Sequence, residues 1–143
     1  FIKAVGIAKI IFQEIIHNIV GKVKAKKIIL QKLKVTEKDY LELEEYIPYE
    51  ETILKNEEGN HILFALYPSN RGGWGIKTIK KSAEDKTDRL SFPENWAGLE
   101  NQELEKITGI KDVTFCHSGR FLMTCKTKEA AYKVLEKVLN QTE

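Results

Sequence analysis

The stretch Val113-Thr-Phe-Cys-His-Ser-Gly-Arg-Phe-Leu-Met-Thr-Cys-Lys-Thr127 contains two short apolar segments separated by four residues of turn-forming type. Residues 113–116 and 121–125 have the side chains typical of strands, and a glycine lies in the sequence between them. This pattern predicts a β-hairpin. Thr127 is then followed by apolar residues at helical spacing, so the sequence predicts a Thr127 N-cap and a final helix over 128–140.

A second hairpin is predicted upstream of the first. Residues 61–67 and 74–79 have strand patterns, and the segment Pro68-Ser-Asn-Arg-Gly-Gly73 between them reads as a six-residue loop. A short helix is predicted over 101–108, with Leu104 and Ile107 on one face and Gly109 as its cap. Two hairpins interspersed with helices predict an α+β fold, in which helices cover one face of a mixed or antiparallel sheet.

The N-terminal 20 residues are apolar on more than one side of the helix that their spacing predicts. We expect this helix, 1–20, to end at Gly21 and a second helix to span 25–33. A helix of this kind needs two surfaces to pack on, and either a missing N-terminal domain or a second subunit would provide the outer one. The predicted organisation is therefore a helical segment, 1–56, that continues from a missing domain, followed by an α+β domain, 57–143.

The composition excludes few classes of protein. The chain has 143 residues with 23 Lys and Arg, 21 Asp and Glu, and a net charge of +2. A basic block over 22–34 and an acidic block over 37–51 are typical of solvated faces, and a footprint for phosphate backbone is the alternative. No apolar run approaches the roughly 20 residues of a membrane span, and we predict a cytoplasmic protein.

Metal and thiol chemistry find little support in the sequence. The aspartates are scattered, and no two lie at ligand spacing with a histidine, so no metal site is predicted. The two cysteines, Cys116 and Cys125, flank the C-terminal hairpin where they could face each other. In a lysine-rich chain we expect them to be free thiols.

The turn His117-Ser118-Gly119-Arg120 is the best candidate site. Glycine permits tight geometry with exposed backbone N–H groups, serine adds a hydroxyl, and arginine adds a planar fork that matches phosphate or carboxylate. His117 can donate to an anion or transfer a proton. These residue types form a chemically sensible phosphate cradle. The alternative is an ordinary hairpin turn with a surface arginine.

Several short motifs, in order along the chain, carry a family resemblance. They are Tyr67 with Gly73, Trp74 and Ile76; Phe92 and Pro93 with Trp96, Gly98 and Leu99; Thr108, Gly109 and Ile110; Phe115 with His117, Ser118 and Gly119; and Lys126 with Thr127. In these residues the chain resembles the C-terminal part of the melanocyte-proliferating-gene exonuclease family, a branch of the DHH phosphoesterase superfamily. One departure is that Met123 and Thr124 stand where many members have two glycines.

The resemblance implies a fold like the C-terminal domain associated with DHH enzymes. It also implies a parent enzyme that hydrolyses phosphodiester bonds of RNA or short oligonucleotides with Mn²⁺ held by the N-terminal domain. The present residues lack those metal-binding motifs, so the resemblance implies a substrate-binding fragment with no cofactor of its own. The family role carries over to His117, Ser118, Gly119 and Arg120 as the grip on substrate phosphate, with Lys126 as a flanking cation.

Two other functions fit the same residues. One is a non-catalytic module that binds nucleic acid without a partner domain, against which the near-neutral charge counts. The other is an interaction domain that forms a homodimer through residues 1–20.

Overall fold

The computed structural model describes residues 2–141, and a five-stranded sheet lies at its centre in the order β1-β2-β3-β5-β4. The strands are β1 (Tyr40–Glu42), β2 (Phe64–Pro68), β3 (Trp74–Thr78), β4 (Val113–Cys116) and β5 (Leu122–Cys125). β1 runs parallel to β2, and the other neighbouring pairs are antiparallel. The predicted α+β class and mixed sheet with two hairpins are therefore confirmed.

The helices are α1 (Ile2–Val35), α2 (Glu50–Lys55), α3 (Asn101–Thr108) and α4 (Lys128–Asn140). They cover both faces of the sheet, so the prediction of helices on one face was wrong. Alternate residues of β2 show why: Phe64 and Leu66 belong to the core beneath α3 and α4, whereas Ala65 belongs to the core beneath α1 and α2. A strand with apolar residues on both sides needs cover on both sides.

Helix α1 is one continuous helix of 34 residues, about 50 Å long at 1.5 Å per residue. The predicted end at Gly21 and the separate helix over 25–33 were both wrong, and Phe1 lies outside the described residues. A glycine inside a helix costs only about 1 kcal/mol relative to alanine. Nothing lies within 4 Å of a side chain built at Gly21, so no neighbouring element turns the chain there.

Among the α1 residues whose side chains the structure describes, the buried ones all lie in the C-terminal part of the helix. Ala25, Ile29 and Leu33 are buried at a spacing of four residues. Between Val5 and Val23, ten large apolar side chains are 44–64% exposed. We call this part, residues 5–23, the projecting helix.

Smaller elements follow the predictions closely. α3 ends at Gly109, whose φ of 72° is the left-handed conformation expected of a helix cap, although Ile107 is exposed rather than buried. The Thr127 hydroxyl accepts a hydrogen bond from the Ala130 N–H at 3.1 Å and caps α4. The N-terminal hairpin has a five-residue loop instead of the predicted six, because Pro68 pairs with Trp74.

The two predicted segments, 1–56 and 57–143, share one sheet, since β1 comes from the first segment and β2 to β5 come from the second. The boundary at residue 56 stays a prediction. Within residues 2–141, no helix combines the length and apolar content needed to span a bilayer.

Candidate functional site

The turn that joins β4 to β5 is closed by its own hydrogen bonds. The His117 N–H donates to the Leu122 carbonyl at 2.9 Å, and the Arg120 N–H donates to the His117 carbonyl at 2.8 Å. The Gly119 N–H donates to Nδ1 of His117 at 2.8 Å. Because these N–H groups are used inside the turn, an anion would be held mainly by side chains. Ser118 and Gly119 are the exposed residues of the turn.

The imidazole of His117 is held between two aromatic rings. Its centroid lies 4.3 Å from that of Phe121 and 6.1 Å from that of Phe115. Since Nδ1 accepts the Gly119 N–H, the neutral ring carries its proton on Nε2, which is then a hydrogen-bond donor. Lys80 completes this surface: its ammonium lies 5.4 Å from the Phe121 ring centre and pairs with Asp88 at 2.5 Å.

Arg120 has a left-handed backbone, with φ of 59°, at a position where glycine is normally favoured. Its Nη1 donates to the Phe92 carbonyl at 3.3 Å and lies 3.9 Å from Oε1 of Glu94. Its carbonyl accepts the Phe92 N–H at 3.1 Å. Arg120 therefore links the turn to the segment over 92–96, whose Trp96 is buried in the core.

Lys126 lies at the other end of β5 from this turn. It is four positions from Leu122, which corresponds to about 13 Å along a strand. Its N–H donates to the Asp112 carbonyl at 2.7 Å. The structure brings the four turn residues together, but it places Lys126 beside Gly73, at the end of the other hairpin loop. The Gly73 backbone lies so close to the Cys125 carbonyl that no side chain would fit there.

The cysteines do not face each other. Cys116 pairs with Met123, and Cys125 pairs with Val113. Both thiols are free and buried, as predicted for free thiols. Burial raises the pKa of Cys116 to about 11 and the pKa of Cys125 to about 12, so neither is a thiolate nucleophile near neutral pH.

The two residues that replace the glycine pair are used in packing. Met123 is fully buried beneath α3 and α4. Thr124 pairs with Gly75 on the neighbouring strand β3, and its hydroxyl forms a hydrogen bond of 2.6 Å with the hydroxyl of Thr114 on β4. The surface that two glycines would leave open is therefore filled by side chains here.

Manganese does not fit the described part of the chain. Among residues 2–141 no group of three His, Cys, Asp or Glu side chains is arranged to hold a metal ion. The Mn²⁺ implied by the resemblance consequently has no ligand set in these residues, and no chemical step is assigned to it.

Two features were missed by the sequence analysis. Arg89 donates from Nη1 to the Gly59 and Ile62 carbonyls, both at 2.7 Å, and from Nε to the Lys80 carbonyl at 3.1 Å. Burial lowers the pKa of this guanidinium. The rarity of arginine in a lysine-rich chain was the available signal for this planar contact.

The second missed feature is a tyrosine cluster, which we call the tyrosine groove: Tyr46, Tyr49 and Tyr67. The Tyr46 ring packs edge-on against both neighbours, with its centroid 5.2 Å from that of Tyr67 and 6.4 Å from that of Tyr49. Cavities of about 380 Å³ and 240 Å³ adjoin the cluster, and Tyr46 lines both. No spacing in the sequence indicates this cluster, because the fold brings β2 against the loop before α2.

Comparisons with known proteins match nearly the whole chain. The model of the MYG1 exonuclease family, described as uncharacterised protein family UPF0160, matches residues 1–139. A MYG1 protein of Dictyostelium discoideum is 30% identical over 108 residues, which are 73% of this chain and 33% of that protein. The human MYG1 exonuclease is 31% identical over 80 residues, which are 56% of this chain and 21% of that protein.

A MYG1 protein of Chlamydia pneumoniae is 36% identical over 77 residues, which are 53% of this chain and 26% of that protein. The aligned residues thus span about a third or less of these relatives. No solved structure is significantly similar to the chain. Because the family model matches residues 1–139, this chain belongs to the MYG1 exonuclease family.

Proposed function

We propose that these residues form the substrate-binding part of a metal-dependent phosphodiesterase that acts on RNA or short oligonucleotides. In this proposal the turn His117–Arg120 holds a substrate phosphate, while a preceding domain of the DHH type holds Mn²⁺ and performs the hydrolysis. The exonuclease name of the human relative supports the reaction class. A cytoplasmic location stays a prediction.

The single observation that carries this proposal is the conformation of Arg120. A non-glycine residue at φ of 59° is strained, and such residues cluster at functional sites. Glycine would adopt this backbone without strain, so the arginine side chain comes at a cost in stability. Its side chain is 35% exposed, and its Nη1 lies near the Phe92 carbonyl and the Glu94 carboxylate.

The surrounding groups suit a phosphate. The exposed Ser118 hydroxyl, the Nε2 donor of His117 and the guanidinium of Arg120 all belong to one four-residue turn. Fixed donors that neutralise a phosphate assist its hydrolysis because they stabilise charge that develops in the transition state. Lys126 contributes as a cation farther along a bound strand rather than to the same phosphate.

The test is binding of the dinucleotide UpU to the purified chain, followed by NMR. We expect the Ser118 and Gly119 amide signals to shift with UpU. Arg120→Gly keeps the left-handed backbone but removes the fork, so it should weaken binding at least several-fold without unfolding the chain. Unchanged affinity in Arg120→Gly, or shifts confined to other residues, would overturn the proposal.

A specific observation favours a second candidate, association of two copies through the projecting helix. Val5, Ala8, Phe12, Ile15 and Ile19 repeat at alternating spacings of three and four, as in paired helices. Ten large apolar side chains between Val5 and Val23 are about half exposed, and contiguous exposed apolar surface of this kind marks interaction sites. We therefore propose a second copy of this chain as the occupant.

Sedimentation of the purified chain tests this association. We expect a mass near twice 16.4 kDa that falls to 16.4 kDa in the double variant Phe12→Lys with Ile15→Lys. Ile107→Lys, at an exposed isoleucine on α3, is the matched control and should leave the dimer intact. A wild-type chain that stays monomeric at its highest soluble concentration would exclude the dimer.

A further inference from the structure

The tyrosine groove presents one exposed ring supported by two covered ones. Tyr46 is 54% exposed, Tyr67 is half-buried and Tyr49 is buried. Burial raises the pKa of both Tyr49 and Tyr67, so these two phenols stay neutral at any physiological pH. The Tyr46 ring is therefore held in place by neutral aromatic neighbours while much of its own surface faces solvent.

The space around Tyr46 has the size of a ligand site. The larger cavity, about 380 Å³, lies between α2 and the loop after β3, and it falls in the usual range of roughly 300–1,000 Å³ for small-molecule pockets. The smaller cavity lies between Tyr67 and the hairpin loop over 69–71. A ligand longer than one ring would pass over Tyr46 from one cavity to the other.

The charged groups along this path are mainly cationic. Lys55, Lys77 and Lys86 line the larger cavity, and Arg71 lines the smaller one. Glu50 and Glu51 also line the larger cavity, but Glu51 pairs with Lys55 at 2.6 Å. An anionic ligand would therefore meet Arg71 at one end and Lys77 with Lys86 at the other.

The groove leads toward the turn that joins β4 to β5. Lys77 pairs across the sheet with Leu122, whose carbonyl accepts the His117 N–H. Lys77 also lies on the face opposite the buried Ile76, the same face as Gly75, over which the Tyr67 ring lies. A chain that follows the cations from Arg71 to Lys77 thus runs toward the proposed phosphate site.

We propose that the tyrosine groove binds single-stranded nucleic acid, with a base stacked on Tyr46 and flanking phosphates at Arg71, Lys77 and Lys86. Stacking on an exposed aromatic ring between cations is the usual way in which proteins bind single strands without sequence preference. The choice of nucleic acid over another anion rests on the proposed function. The groove is a contact separate from the phosphate held by the turn.

Fluorescence anisotropy with a labelled 12-residue oligouridine tests the groove. We expect Tyr46→Ala to weaken binding about ten-fold or more, and Tyr46→Phe to bind like the wild type, because the ring rather than the hydroxyl carries the stacking. Tyr132→Ala removes an exposed tyrosine on α4 and serves as the matched control. The double variant Lys77→Ala with Lys86→Ala should weaken binding and flatten its salt dependence, whereas Lys106→Ala with Lys133→Ala should not.

The outcomes separate this proposal from the proposed function. If Tyr46→Ala binds like the wild type while Arg120→Gly loses affinity, the groove is overturned and the turn stands. If Tyr46→Ala loses affinity while Arg120→Gly does not, the groove stands and the turn fails. No binding of oligouridine at low salt overturns both. Equal binding of an acidic peptide, sensitive to the lysines but not to Tyr46, would identify a protein partner and overturn the groove as a nucleic-acid site.

Discussion

The projecting helix and the packed body of the chain use the same residue types with opposite burial. Ile15 and Ile29 lie on the same helix, α1, yet Ile15 is 51% exposed and Ile29 is fully buried. The difference is not local propensity, since one continuous helix contains both. It comes from α2, β1 and β2, whose apolar side chains share a core with Ile29 and Leu33 of α1. Apolar content marks a surface that needs cover, and topology decides where that cover is.

The largest expected effect compares these two isoleucines directly. Ile29→Ala leaves a cavity beneath α1 and should lower the free energy of unfolding by about 2–5 kcal/mol. Ile15→Ala removes an exposed side chain and should change it by less than about 0.5 kcal/mol in the monomer. Denaturant titration at low protein concentration, followed by the fluorescence of Trp74 and Trp96 in the packed body, measures both. Equal losses would show that the projecting helix is covered even in the monomer.

Arg89 sharpens the comparison inside the packed body, where its charged side chain holds three backbone carbonyls by hydrogen bonds. Arg89→Met removes the donors to the Gly59, Ile62 and Lys80 carbonyls, so we expect a loss of about 1–3 kcal/mol in the free energy of unfolding. Arg71→Met, at an exposed loop residue, is the control and should be neutral in the same titration. A neutral Arg89→Met would mean that water replaces the guanidinium at all three carbonyls.

A pH titration probes the packed body through its two buried thiols. The ordinary thiol pKa is 9.0, and burial raises it to about 11 in Cys116 and about 12 in Cys125. Above pH 9 the unfolded chain releases protons that the folded chain keeps, so stability falls as pH rises from about 9 to 11. Each thiol contributes a slope of up to about 1.4 kcal/mol per pH unit.

The control for this titration is the double variant Cys116→Ala with Cys125→Ala. We expect it to be less stable at pH 7, because two buried side chains are shortened, but to lose less stability between pH 9 and 10. Burial also raises the pKa of Tyr49 and Tyr67, but both tyrosines are present in the two proteins and contribute equally to the two pH curves. Parallel pH curves for the two proteins would show that the thiols are already accessible in the folded state.

Local patterns allowed much of the fold to be predicted. The ends of α3 and α4 were predictable because Gly109 and Thr127 act through hydrogen bonds to residues three or four positions away. Both hairpins were predictable for the same reason. The run of α1 through Gly21 was not, because a glycine is compatible with a cap and with a helix interior, and only the absence of a neighbouring element decides between them.

The candidate site was predictable in identity but not in geometry. The sequence indicated His117–Arg120 as one turn, and they do form one turn. It did not indicate that Gly119 donates to His117 or that Arg120 reaches Phe92, since the second contact joins residues 28 positions apart. Tyr46 and Tyr67 met the same limit: their ring contact depends on how β2 packs against the loop before α2.

The smallest effect on global stability is expected from Gly21→Ala, and it tests whether the projecting helix unfolds independently. Alanine stabilises a helix interior by about 0.8–1 kcal/mol relative to glycine, and a side chain at position 21 meets nothing within 4 Å. If residues 5–23 open on their own, hydrogen exchange of their amides should slow roughly four- to five-fold, a change equivalent to that propensity difference. The denaturation midpoint of the packed body, reported by tryptophan fluorescence, should stay where it is. A rise of the midpoint equivalent to the full propensity difference would mean that α1 unfolds as one unit with the sheet, and that its exposed part is cooperative with its packed part.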